Sequence, residues 1–171
     1  MRYAVIALLA ALVPPIADAQ HTPCGGHELR DIKALSAEEV EQYLSGAGMG
    51  FAKAAELNRF PGPMHVLELQ DKLDLSVDQR ESARRLMERH KAEARAIGAK
   101  LMEAERALDA LFASGAVVAQ ALAKQVQVVA ALQGDYRLAH LETHRQMQAI
   151  LTREQIERYD ALRGYARKSA F

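Results

Sequence analysis

From Met87 onward, a run of mostly apolar residues recurs in alternating steps of three and four: Met87, His90, Ala94, Ile97, Leu101, Ala104, Leu108 and Leu111. That spacing is a heptad seam, the pattern that lays one helix along another. A second seam passes through Val118, Leu122, Gln125, Val129, Leu132 and Tyr136, then His140 or Thr143, then Met147. Ser114-Gly115 separates the two, and a linker this short returns the second helix antiparallel to the first. No proline interrupts either seam. At about 1.5 Å per residue, a helix from Ser76 to Phe112 is more than ~50 Å long. The pattern predicts an all-α fold: a long antiparallel helical hairpin with short flanking helices.

The starts of the helices are also written in the chain. Leu75-Ser76-Val77-Asp78-Gln79 and Leu151-Thr152-Arg153-Glu154-Gln155 are two copies of one phrase. In each, the Ser76 or Thr152 hydroxyl can cap the amide three residues on, while Gln79 or Gln155 reaches back to the cap's own amide. The preceding leucine staples the entering chain. Ser36-Ala37-Glu38-Glu39 is a third capping box, opening a short helix that stops at Gly46. Beyond the Gly46–Gly50 run, a second short helix is predicted over Phe51 to Asn58. Phe60-Pro61-Gly62-Pro63 ends it, and Pro63 suits the first turn of a third helix, Met64 to Leu73. Pro23, Gly25 and Gly26 mark residues 20–35 as a mobile arm.

Composition adds compartment and partner. Arg2, the apolar stretch Ala4 to Val13 and Ala17-Asp18-Ala19 read as a cleavable export signal over residues 1–19, too short to span a bilayer. The expected organisation is that signal, an N-terminal arm with short helices over 20–62, a hairpin domain over 63–166 and a tail over 167–171. The mature protein is expected to be periplasmic and not membrane-spanning. Twenty-two basic against 22 acidic residues argue against a dedicated nucleic-acid binder. Cys24 is the sole cysteine. It therefore points to an intermolecular bridge, a capped thiol or a metal ligand. Alanines at 94 and 104 and polar residues at 90 and 125 make the hairpin core shallow, which favours a homodimer.

No nucleophile–base motif, paired-cysteine motif or phosphate loop is present, so an enzyme is not expected. The histidines are the candidate chemistry. His140 and His144 share one helical face with Met147. Antiparallel packing would bring them near His65 and Glu68. Two imidazoles, a carboxylate and a thioether suit zinc, nickel, cobalt or copper; alternatively, His140 fills the seam while His65 and His144 are ordinary polar residues. His21, Cys24 and His27 form a second candidate set on the arm. Arg80, Arg84, Arg85 and Arg89 make the start of the first long helix basic. They form either a patch for unfolded clients or a solvated face laced with i, i+4 pairs.

From about Pro63 to Tyr165 the chain resembles the Spy/CpxP superfamily, on the two L-[ST]-x-x-Q copies, the helix between them and the stretch Met147 to Tyr159. The resemblance implies an LTxxQ-type four-helix hook that dimerises into a cradle. Some members bind misfolded periplasmic proteins without ATP. Others, of the CnrX and ZraP type, sense or buffer heavy metals and signal to an envelope stress pathway. For the metal branch the matching positions are His65, Glu68, His140 or His144, and Met147. The leading expectation is thus a chaperone-like envelope-stress protein whose partners are unfolded proteins or a stress-signalling protein. The alternative is a divalent-metal sensor or buffer.

Overall fold

The computed structural model describes residues 24–165. It is all-helical there: α1 (Ala37–Ser45), α2 (Lys53–Glu56), α3 (Pro63–Glu68), α4 (Val77–Ala113), α5 (Ala119–Ile150) and α6 (Arg153–Arg163), preceded by a 3-10 turn at His27–Leu29. The expected signal over 1–19 and tail over 167–171 lie outside the described residues. No helix among those described is long and apolar enough to cross a membrane.

All three capping boxes form, at Ser36, Ser76 and Thr152. The two glutamine copies go further and bond each other across the base of the hairpin. Gln79 Nε2 donates to Gln155 Oε1 at 2.9 Å, and Gln155 Nε2 donates to Gln79 Oε1 at 3.0 Å. Each amide's second N–H reaches a carbonyl of the other's neighbourhood, Ile150 for Gln79 and Leu73 for Gln155. Each Oε1 still accepts from its own cap amide. Both half-buried amides are therefore fully satisfied, as the cost of an unpaired buried group demands.

α4 and α5 pack antiparallel along their length. The cross-helix pairs Gln79/Ile150, His90/His140 and Gln125/Ala104 are all centred near residue 115, so the register is constant. The turn sits at Ser114 and Gly115, the latter at φ 68°.

The short helices cover one flank of this hairpin. α1 lies on the middle of α4, α3 on its start, and α2 on α5. Two hydrophobic clusters result. One joins Ile32 and Tyr43 to Ala94, Leu101, Met102 and Tyr136. The other, at the base, joins Val66, Leu73 and the staple residues Leu75 and Leu151 to Leu86, Met147 and Tyr159. Gly98 permits the α1 contact, because a Cβ there would stand 2.2 Å from the Tyr43 carbonyl oxygen.

Several expectations change. The third helix ends at Glu68, not Leu73. The chain turns through Asp74 (φ 50°) and delivers both Leu73 and Leu75 to the base cluster. The second is one turn, Lys53–Glu56, closed by Asn58 Nδ2 donating to the Ala54 carbonyl. The supposed arm is pinned: Ile32 is fully buried, and Asp31 and Lys33 pair with Arg106 and Asp109. Val118 caps α5 from an exposed position instead of joining the seam. Near the base the seam passes through Leu86 in place of Met87, because a straight helix of 3.6 residues per turn drifts away from a 3.5-residue repeat.

Candidate functional site

Tyr136, His140, His144 and Gln148 follow one another at every fourth residue on α5, so they form a single stripe. That stripe faces the loops between the short helices and ties down their carbonyls. The Tyr136 hydroxyl donates to the Ala47 carbonyl at 2.7 Å, and His140 Nε2 lies 3.1 Å from the same oxygen. His144 Nδ1 lies 2.7 Å from the Phe60 carbonyl, and Gln148 Nε2 donates to that of Arg59 at 3.2 Å. His140 Nδ1 is also 3.0 Å from the Tyr136 carbonyl. A neutral imidazole has one N–H, so it donates to one of its two flanking oxygens. Gly62 lets the last loop approach, since a Cβ there would meet the His144 ring at 2.8 Å.

Between this stripe, the Gly46–Gly50 loop, α3 and α4 lies a cavity of about 460 Å³. His65, His90, His140 and His144 all line it. His90 and His140 meet edge to face, with ring centroids 4.4 Å apart. Burial pushes His90 down to about 4, helped by the neighbouring His140, and burial also lowers His140. Both rings are accordingly neutral at pH 7. His90 Nδ1 is buried with no hydrogen-bond partner.

Glu56, at the end of α2, is a centre that sequence reasoning missed. Its carboxylate accepts from the Gly62 amide at 3.1 Å and from the Tyr165 hydroxyl at 2.7 Å, and also from the Tyr159 hydroxyl. His144 Nδ1 stands 3.5 Å away and Arg163 3.8 Å. Burial, then the bond to Glu56, raises the Tyr159 phenol. The partners lie up to 109 residues along the chain, and no local motif around Glu56 announces them.

The expected metal set comes together in part. His65, His140 and His144 share the cavity. Glu68 is exposed and held by His65 Nδ1 at 2.9 Å. Met147 is fully buried in the base cluster, away from the cavity lining. α5 turns its 147 position toward Leu73 and Tyr159, one side of the stripe that carries 140 and 144. Among the described residues no three His, Cys, Asp or Glu side chains are grouped to hold a metal ion. Of the arm set, His21 lies outside the described residues. Cys24 is free and exposed, and its carbonyl accepts from the His27 amide at 3.0 Å.

The opposite flank of the seam is open. There Leu86, Arg89, Glu93 and Ile97 of α4 face Asp135, Leu138, Glu142 and Gln146 of α5 across a groove of about 350 Å³. His90 and Thr143 line both concavities and form the wall between them. Leu138 is 61% exposed. In the basic set, Arg80 pairs with Asp71 and Arg85 with Glu81, while Arg84 and Arg89 form no ion pair among the described residues. In comparisons with known proteins, no family model, curated protein or solved structure matches the chain.

Proposed function

We propose that the protein is an ATP-independent, chaperone-like binder of misfolded proteins in the bacterial periplasm, as the resemblance to the Spy/CpxP superfamily implies. The observation that carries this reading is the uncovered α4–α5 flank. The short helices all pack on the other side, leaving a long strip in which the half-buried Ile97 and the exposed Leu138 stand among Arg89, Glu93, Asp135 and Glu142. Such a strip offers apolar contact and charges of both signs without a shaped pocket. It suits many sequences weakly better than one ligand tightly. Val128 is exposed further toward the tip, where Phe112 and Val118 are also exposed. In this reading a second copy of the chain completes the surface as a homodimer, and the charged groups steer clients to it.

The test is light scattering from a reduced, aggregating client with and without the purified protein. Suppression is expected at near-stoichiometric ratios. It should be lost in Leu138→Glu, which is exposed enough to leave the melting temperature in place. A wild-type protein that fails to slow aggregation even in several-fold excess would remove the proposal.

A further inference from the structure

The cavity on the covered flank has an unusual donor set. Of the chain's six histidines and six methionines, four and three respectively line it. They arrive from four separate segments: Met49 from the glycine loop, Met64 and His65 from α3, Met87 and His90 from α4, and His140 and His144 from α5. A single helical stripe does not explain that convergence. Core filling accounts for only part of it. Met102 and Met147 are fully buried in the two cores, whereas Met49 is half-buried at the edge of the Tyr43–Tyr136 cluster, Met87 is half-buried and Met64 is exposed at the cavity wall.

The remaining lining residues decide which ion the site fits. Lys53 and Lys91 stand in the lining. Glu56, the one carboxylate present, is already engaged by two tyrosine hydroxyls and the Gly62 amide. A hard divalent cation would therefore meet ammonium groups and no free anion, at a large desolvation cost. Thioethers select soft ions such as Cu(I), which bind through covalent donation and carry less charge. His65 and His144 hydrogen-bond Glu68 and the Phe60 carbonyl through Nδ1, and His140 stands between two carbonyls. His90 is the imidazole with a buried nitrogen that nothing satisfies.

We propose that this cavity is a binding site for a soft monovalent metal ion, Cu(I) or its redox-inert counterpart Ag(I), held by the thioethers of Met49, Met64 and Met87 with the imidazole of His90. Of these four ligands only His90 also lines the groove of the client-binding strip, and the site does not depend on that reading.

The experiment uses the full chain carrying Cys24→Ser, which removes the exposed thiol as a rival soft ligand. Cu(I) is titrated anaerobically against a chromophoric chelator, and Ag(I) is added to protein labelled with carbon-13 at the methionine methyls. Tight Cu(I) binding is expected. Ag(I) should shift the methyl signals of Met49, Met64 and Met87 and leave Met102 and Met147 in place. Met64→Leu with Met87→Leu conserves volume and fold. It should weaken Cu(I) on the order of tenfold or more, by analogy with the loss of supporting metal contacts. The proposal is overturned if binding disappears with Cys24→Ser alone. It is equally overturned if the double leucine variant binds as before, or if Met102 and Met147 respond in place of the cavity methionines.

Discussion

A histidine ring buried beside another has two chemical lives, as a hydrogen-bond donor and as a proton acceptor, and His90 shows how packing chooses between them. Its ring meets His140 edge to face, and burial holds it at about 4. The folded-state value is below the unfolded one near 6.5, so the unfolded chain binds more protons between those values. Stability therefore increases with pH across this window and is lost as pH falls from about 6.5 through 4. For a depression of this size the loss is of order 3 kcal/mol near pH 4. Glu105, also buried, acts in the opposite sense because burial raises its carboxyl. Urea denaturation of metal-free protein between pH 4 and 7 should show the slope, and His90→Phe should flatten it. A variant with an unchanged slope would show that His90 is charged in the fold or open to water. His140 and His144 were legible from the sequence as a pair on one face. Their partners were not, because Ala47 and Phe60 lie 93 and 84 residues away.

At the scale of elements, the paired glutamines join what periodicity alone leaves separate. A capping box accounts for one helix start, and here two boxes share their side-chain amides across 76 residues of sequence. Gln79→Leu strands the Gln155 amide in a half-buried site, and the reverse holds for Gln155→Leu. Each single change is expected to cost about 1–3 kcal/mol. The double change should cost less than the sum, with a coupling of about 0.5–3 kcal/mol. Denaturant midpoints of the four proteins in this cycle measure it, and purely additive losses would mean that the two caps act independently. The repeated phrase made two matching helix starts visible in the sequence. Their reciprocal bond became visible only when the hairpin register placed the two starts side by side.

For the whole molecule, the decisive event is the docking of residues 30–62 on one flank of the hairpin. Gly98 admits α1 so closely that an added methyl would meet the Tyr43 carbonyl oxygen. Gly98→Ala should cost about 1–3 kcal/mol through overpacking. Hydrogen exchange should then quicken across residues 32–46 while α6 stays protected, since its cluster is built from other residues. Uniform acceleration along the chain would show that the two clusters unfold as one. The docking also sorts the surface. One flank carries a cavity lined by histidines and methionines, and the other remains an amphipathic strip.

Short-range rules were enough to establish the helices, their three capped starts, the turn at Ser114–Gly115 and the antiparallel return. Each rests on residues within a few positions of one another, or on a period that repeats. What required the tertiary structure was the choice of flank. Nothing local tells Glu56 that Tyr159 and Tyr165 will meet it, turns Met147 away from His144's partners, or gathers Met49, Met64 and Met87 around one cavity. Those placements follow from how separate helices fill each other's gaps, a condition on the whole volume that no stretch of sequence contains.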